Sequence, residues 1–239
     1  MALYRDSGIV LRTHKLGEAD RIVTFLTEHH GKVRAVAKGA RKTKSRFGAR
    51  LEAPSHAALQ LYGGRSDLDI VTQAETIDHF RPVRTDLDRF ARAATMLEAV
   101  DQITPEREPN RRLYAMLLGA LHSLSEHDSP VVVAAFFWKL LSAEGVEPVV
   151  DACVTCGEEA DLVAFDPIEG GVLCRAHRRG VPIGADALAL LRDVLGGRLR
   201  AALAVPASPA TAELDHLAVH TMEQHLERRL RSVGLLDRG

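Results

Sequence analysis

The 239-residue sequence has few aromatic residues, few cysteines and no long hydrophobic segment, and these shortages exclude several classes of protein. Its longest apolar run covers residues 131–138 and ends at Lys139, whereas a bilayer-spanning helix needs about 20 apolar residues. The N-terminus carries Arg5 and Asp6 and has no apolar stretch of the kind found in secretory signals. The sequence therefore predicts a cytoplasmic protein with no membrane segment.

Three cysteines are too few for a disulfide framework, and in a chain without an export signal they favour metal binding over disulfides. The residues are 46% hydrophobic and 26% charged, which supplies a globular core and excludes disordered and fibrous classes. The sequence also lacks the G-x-S-x-G, H-E-x-x-H and Walker A motifs and the H-x-E element of zinc deaminases. No catalytic residues are predicted, and the protein is not expected to be an enzyme.

The net charge of −1 conceals an uneven distribution of charge along the chain. Residues 1–80 contain 13 Lys and Arg against 9 Asp and Glu, whereas residues 81–239 contain 18 against 23. The N-terminal segment therefore has an excess of positive charge and is the expected binder of polyanions.

Residues 1–80 are predicted to form a small all-β domain. Short runs rich in Val, Ile, Phe and Leu alternate with glycine-containing turns at residues 29–31 and 63–66, which is typical of strands and hairpins. Closing these strands into an OB-type barrel removes the exposed edges of an open sheet, and an SH3-like barrel or a small open sheet are the alternatives. The predicted strands are residues 4–11, 20–27, 32–38, 55–62 and 67–74.

After residue 85 the hydrophobic pattern takes the period of a helix. Leu87, Phe90, Ala94 and Leu97 are spaced as the inner stripe of an amphipathic helix. The predicted fold class is α+β multidomain, with an OB-type β-barrel over residues 1–80 and an all-α helical domain over residues 81–239 that contains an inserted zinc-binding module at about residues 151–180. Further helices are predicted at residues 113–124, 131–144, 185–195 and 213–233. The helix at residues 131–144 is apolar almost all round and is therefore expected to be buried.

The third predicted strand, residues 32–38, alternates basic and small residues with the period of a β-strand. Residues 32–50 contain eight cations and no acidic residue, so this strand and the loop after it are predicted to bind the phosphate backbone of a nucleic acid. A merely solvated loop is the alternative interpretation. The predicted nucleic-acid-binding residues are Lys32, Arg34, Lys38, Arg41, Lys42, Lys44, Arg46 and Arg50.

Aromatic residues are scarce, so stacking on bases is expected to contribute less than contacts with phosphates. Phe47 in the basic loop and Tyr62 on the fourth strand are the residues predicted to stack. Phe25 and Phe80 are assigned to the hydrophobic core.

Two ligand pairs of the type C-x2-[CH] are separated by 17 residues: Cys153 with Cys156, and Cys174 with His177. A structural zinc ion takes four tetrahedral N or S ligands, and a two-residue gap allows one turn to direct both side chains at the same point. We therefore predict one structural Zn2+ per chain, bound by these four residues. Free thiols with a surface histidine are the alternative, and a catalytic zinc is disfavoured because four protein ligands leave no position for water.

Several stretches of the N-terminal region occur in an order that matches a known family. They are GEADRIVTFLT at residues 17–27, HGKVRAVAKGARK at residues 30–42, SRFG at residues 45–48 and LQLYGGR at residues 59–65. On these stretches the chain resembles the RecO family of bacterial recombination mediators, from about residue 7 to the C-terminal helices. Many members of that family carry a zinc module with four cysteines, and this chain has His177 where those members have cysteine.

The resemblance implies a non-enzymatic protein that binds single- and double-stranded DNA and anneals complementary strands. It implies an action on strands coated by single-strand-binding protein and, together with RecR, help in loading RecA, which would be an indirect partner. The resemblance also implies a location in the cytoplasm, in association with the nucleoid. A zinc-ribbon nucleic-acid-binding regulator and an adaptor that binds no nucleic acid are the alternatives.

Overall fold

The structure is a computed structural model that describes residues 2–43, 45, 47–63 and 67–236. The chain divides into two compact units, Met1–Glu126 with Arg231–Gly239, and His127–Leu230. The domain boundary expected after residue 80 stays a prediction. Most of the turn expected at residues 63–66 lies outside the described residues.

The first unit contains five strands: β1 (Leu3–Leu16), β2 (Asp20–Thr27), β3 (Gly31–Ala37), β4 (His56–Tyr62) and β5 (Asp69–Asp78). They close into a barrel in the order β1-β2-β3-β5-β4. All neighbouring strands are antiparallel except β3 and β5, which pair in parallel at Ala35 with Asp69 and at Val36 with Ile70. This topology confirms the predicted OB-type barrel.

β1 is longer than predicted because it belongs to two neighbouring strand pairs. Its first half, from Leu3 to Ile9, pairs with β4, and its second half continues to Leu16 along β2. A register shift between Val10 and Arg12 marks the change. The apolar pattern ends near Leu11, so the polar second half of the strand is not visible as a hydrophobic run.

Alternate residues of the strands fill the barrel. On β3, Val33 and Ala37 are fully buried, as the small residues on one face of the strand predict. Phe47, between β3 and β4, is 1% exposed and packs in the same core. The prediction that Phe47 stacks on bases is therefore wrong, because the hydrophobic effect places its ring inside the barrel. Phe25 and Phe80 are buried as predicted.

Three helices follow the barrel in the first unit: α1 (Arg81–Thr85), α2 (Leu87–Ile103) and α3 (Arg111–Glu126). Asp86 caps α2 by accepting a hydrogen bond from the backbone N–H of Arg89 at 3.0 Å. The predicted inner stripe of α2 is partly wrong, since Leu87 is 74% exposed while Ala93 and Met96 are fully buried. The helix packs through small residues that the spacing of large apolar side chains does not mark.

The second unit contains α4 (Val132–Ala143), β6 (Leu162–Asp166), β7 (Gly171–Cys174), β8 (Val181–Pro182), α5 (Ala185–Leu195), α6 (Leu199–Leu203) and α7 (Pro209–His225). As predicted, α4 is buried almost throughout, including Trp138. The single helix predicted at residues 213–233 is wrong at both ends. Ser208 caps α7 in a capping box, α7 ends at His225, and the positive φ of Glu227 (52°) breaks the helical path.

A final short helix, α8 (Val233–Leu236), belongs to the first unit. The carboxylate of Glu98 on α2 anchors its start by accepting hydrogen bonds from the N–H groups of Arg231 at 3.0 Å and Ser232 at 2.8 Å. Among the described residues, no helix is both long and apolar enough to span a bilayer.

Candidate functional site

Basic residues on the outer side of β1 and β3, with the first residue after β3, form a group that we call the basic face: Arg12, His14, Lys32, Arg34 and Lys38. The strand register pairs Arg12 with Thr24 and Thr24 with Arg34, which places these residues in one row. Cross-strand partners point to the same side of a sheet, and the two arginines are about 10 Å apart across β2. The strands on either side of β2 therefore present positive charge on one surface.

Acidic residues from outside the barrel offset part of this charge. The ammonium of Lys32 lies 2.6 Å from the main-chain oxygen of Asp101 and 3.7 Å from its Oδ1. The Asp101 carboxylate is also 2.5 Å from Nε of Arg12. Nη1 of Arg34 is 3.5 Å from Oε1 of Glu106. The side chain of Lys32 is only 12% exposed, so this predicted nucleic-acid-binding residue has a structural partner on α2.

The loop after β3 is attached to the turn between β1 and β2. The N–H of Gly39 donates to Oδ1 of Asp20 at 2.7 Å, and the N–H of Arg41 donates to the carbonyl of Ala19 at 2.9 Å. The guanidinium of Arg41 donates to the carbonyls of Gly17 and Glu18. These bonds hold the exposed side chains of Lys38, Arg41 and Lys42 at the same end of the barrel as the basic face.

The remaining predicted cations are not all placed on this surface. Arg50 lies on a 3-10 turn, Gly48–Leu51, and lines a groove of about 550 Å3 together with Thr72, Thr76 and His79 of the β5 segment. Lys44 and Arg46 lie outside the described residues. Their assignment as nucleic-acid contacts stays a prediction, as does that of the other predicted cations and the stacking role of Tyr62.

Sequence reasoning missed Arg12 and His14, which the structure adds to the basic face. The signal was the period-two alternation of polar residues at the end of β1, where Arg12 and His14 are outward and exposed. This alternation comes after the apolar run that ends at Leu11 and carries no hydrophobic signature. Strand pairing with β2 is what brings it beside Arg34.

A buried carboxylate organises the turn between β2 and β3. The side chain of Asp6 is fully buried and accepts from Nδ1 of His29 at 3.0 Å and Nδ1 of His30 at 2.6 Å. Burial raises the pKa of Asp6, but hydrogen bonds from His30, His29 and the N–H of Ser7 outweigh it, so the pKa lies below its usual value. The network fixes the hairpin that leads into β3.

A second buried carboxylate joins the barrel to the segment after α2. Asp69 at the start of β5 accepts two hydrogen bonds from the guanidinium of Arg107, at 2.9 and 3.0 Å, and one from the hydroxyl of Tyr4. The N–H of Arg107 donates to the carbonyl of Lys32 at 3.0 Å. Residues around Arg107 therefore continue the hydrogen bonding of β3 where β5 does not reach it.

The second unit brings four potential metal ligands together. The Sγ atoms of Cys153, Cys156 and Cys174 and one ring nitrogen of His177 all lie within 4.8 Å of one another. Nδ1 of His177 is 3.4 Å from Sγ of Cys174 and 3.9 Å from Sγ of Cys153, and the Sγ atoms of Cys156 and Cys174 are 3.8 Å apart. This cluster could hold one metal ion.

The local chain path explains why these ligands meet. Cys153 and Cys156 sit in a turn closed by the bond from the N–H of Gly157 to the carbonyl of Cys153, at 2.8 Å. Cys174 ends β7, and a 3-10 turn, Arg175–His177, returns the imidazole toward it. Gly171 lets the two halves approach, because a Cβ there would lie 2.4 Å from Cγ1 of Val154.

The surroundings of Cys153 favour its ionised form. Burial raises the pKa of this thiol, but hydrogen bonds from the backbone N–H groups of Cys174, Thr155 and Cys156 lower the pKa to about 6. A thiolate is the form that binds a metal ion. The chemistry of the donor set therefore fits a metal with a preference for sulfur and nitrogen.

A closed barrel with a basic outer face is typical of OB-fold proteins that bind nucleic-acid strands. The family described as "Recombination protein O N terminal" matches residues 1–80, and the family described as "Recombination protein O C terminal" matches residues 84–233. The chain therefore belongs to the RecO family of DNA repair proteins.

Curated relatives agree with this assignment over their whole length. The chain is 41% identical over 245 residues to the DNA repair protein RecO of Frankia casuarinae, with all of both chains covered. It is 42% identical over 247 residues to the DNA repair protein RecO of Nocardioides sp., covering 99% of this chain and 100% of the relative. The DNA repair protein RecO of Thermobifida fusca is 40% identical over 244 residues, again with both chains fully covered.

Proposed function

We propose that the protein is a non-enzymatic recombination mediator that binds single- and double-stranded DNA through the basic face and the adjoining loop. The observation that carries this proposal is the placement of Arg12, Arg34 and Lys38 on one surface, beside Arg41 and Lys42. Each cation that neutralises a phosphate releases condensed counterions, which gives affinity without dependence on base sequence.

The middle of the basic face suits the less polar parts of a strand. His14, Ile22 and Val36 form the next cross-strand row, and Ile22 and Val36 are half-buried. Sugars and base faces can pack there while phosphates contact the surrounding cations. Such binding leaves the base-pairing edges uncommitted, which supports the annealing of complementary strands. Loading of RecA together with RecR, on strands coated by single-strand-binding protein, is part of the same proposal through membership of the RecO family.

The metal of the second unit is proposed to be one structural Zn2+. With Zn–S of about 2.3 Å and Zn–N of about 2.1 Å, tetrahedral geometry places ligand atoms about 3.5–3.8 Å apart. The distances of 3.4, 3.8 and 3.9 Å within the cluster fit this geometry. Cys153, Cys156, Cys174 and His177 would fill all four positions, so the bound ion would stabilise the fold of the segment and leave no site for a reactive water.

A salt titration of DNA binding tests the proposal. Lys38→Ala and Lys42→Ala each remove an exposed cation, and the slope of log affinity against log salt should fall by about 0.7 per lost contact on single strands and about 0.9 on duplex. Arg200→Ala is the matched control, because Arg200 is an exposed cation in the second unit. Unchanged slopes for both lysine variants would place the DNA contact elsewhere. Annealing of complementary oligonucleotides should weaken in parallel with binding.

A further inference from the structure

We infer that Glu106 competes with DNA phosphate for Arg34, so that this residue, in the segment after α2, limits the affinity of the basic face. This inference rests on the proposed function and concerns its regulation. Nη1 of Arg34 is 3.5 Å from Oε1 of Glu106. A carboxylate at that distance occupies the position that a phosphate oxygen would take.

The backbone that carries Glu106 is fixed. The N–H of Arg107 bonds to the carbonyl of Lys32, and Arg107 binds the buried carboxylate of Asp69. Gly31 lies so close to the main chain of Glu108 that a Cβ would be 2.3 Å from its carbonyl oxygen. Glu106 is therefore held beside β3 whether or not DNA is bound.

The ion pair between Arg34 and Glu106 can separate and give way to a contact between Arg34 and phosphate. Arg34 is 36% exposed and Glu106 is 41% exposed, so both groups can be solvated when the pair separates. Asp101 differs, because its side chain is 13% exposed and contacts both Arg12 and Lys32. Removing Asp101 would unpair Lys32, which is nearly buried, whereas removing the charge of Glu106 frees Arg34 without disturbing the core. Glu106 is the residue at which competition can be tested.

The size of the effect follows from the strength of an exposed ion pair. Such pairs are weak, so the variant Glu106→Gln should bind single-stranded DNA about two- to fivefold more tightly than the wild type at low salt. Salt screens the Arg34–Glu106 pair, and the difference should shrink as the ionic strength rises above about 0.15 M. Glu108→Gln is the matched control, since it removes the same charge from the same segment and Glu108 has no ion pair within the described part of the chain.

The experiment measures single-stranded DNA affinity for the wild type, Glu106→Gln, Arg34→Ala, the double variant and Glu108→Gln. The gain from Glu106→Gln should vanish when Arg34 is already Ala, and Glu108→Gln should bind like the wild type. A gain of equal size in the Arg34→Ala background, an equal gain from Glu108→Gln, or no gain at all would overturn it. If Arg34→Ala itself does not weaken binding, the proposed DNA surface is wrong as well, which distinguishes the two failures.

Discussion

The bond between Arg107 and Asp69 is predicted to be a main support of the barrel. β3 and β5 pair through only two residues each, and Arg107 joins the two strands beyond that point by binding the Lys32 carbonyl and the Asp69 carboxylate. The Asp69 side chain is 2% exposed, so Arg107→Ala would leave a buried carboxylate with the Tyr4 hydroxyl as a remaining donor. The substitution therefore removes a guanidinium that pairs with a buried carboxylate.

The expected loss of stability in Arg107→Ala follows from the exposure of the Arg107 and Asp69 side chains. Removing one member of a fully buried ion pair costs about 3–5 kcal/mol. The Arg107 side chain is 42% exposed, so solvent reaches the vacated site and reduces the expected loss to about 2–3 kcal/mol. For a chain of this size each kcal/mol lowers the melting temperature by about 2–4 °C, so a decrease of about 4–12 °C is expected.

Thermal and urea unfolding of Arg107→Ala, Arg107→Lys and Arg111→Ala measure this effect. Arg107→Lys keeps the charge but loses the two parallel hydrogen bonds, so its stability should lie between those of the wild type and Arg107→Ala. Arg111→Ala is the control, because Arg111 is an exposed cation four residues away on α3. A loss below about 0.5 kcal/mol for Arg107→Ala, equal to that of an ordinary surface change, would refute the assignment of Arg107 as a strand connector.

Three further predictions concern the metal cluster, the buried carboxylate and the core. Cys174→Ala and His177→Ala should each lower the metal content below one per chain and lower the melting temperature, and full metal and stability in His177→Ala would exclude histidine as the fourth ligand. The pKa of Asp6 is lower in the folded state than its unfolded-state value near 3.8. The ionised Asp6 carboxylate therefore stabilises the fold fully above that value, and this stabilisation is lost as the pH falls through the folded-state pKa. Asp6→Asn should lower the free energy of unfolding by about 2 kcal/mol at neutral pH and make it depend less steeply on pH in the acid range. Phe47→Ala should cost about 3–5 kcal/mol of unfolding free energy while the folded fraction keeps its DNA affinity, and weakened binding at full stability would restore a stacking role.

The group of four potential metal ligands was predictable from sequence because its geometry is local. Cys153 and Cys156 share one turn, and Cys174 and His177 share another, so the spacing of each pair already determines how its side chains converge. The two turns meet because the segment with Val154 lies along β7, where the N–H of Val154 donates to the carbonyl of Val172 at 3.0 Å. The hairpin of β6 and β7 adds a register that sets Leu162 opposite Cys174. Two short apolar runs separated by glycines mark that hairpin in the sequence.

The basic face was only partly predictable, because its charge balance depends on residues far apart in the chain. Lys32 and Asp101 are 69 positions apart, and no local pattern connects them. Counting eight cations in residues 32–50 overstates the free positive charge near β3, since Asp101 and Glu106 offset Lys32 and Arg34. The same count omits Arg12, which strand pairing adds from β1.

The difference between local sequence patterns and long-range packing also explains why Phe47 was assigned wrongly while the small residues of β3 were assigned correctly. Along β3 the inward positions follow from a period of two, which is a property of any strand. Phe47 lies in an irregular segment where no period exists, and its basic neighbours in sequence suggest exposure. An apolar ring is stabilised by burial, and Phe47 and Leu51, which follow β3 in the sequence, both pack in the barrel core. The burial of Phe47 therefore anchors the described part of the loop to the barrel.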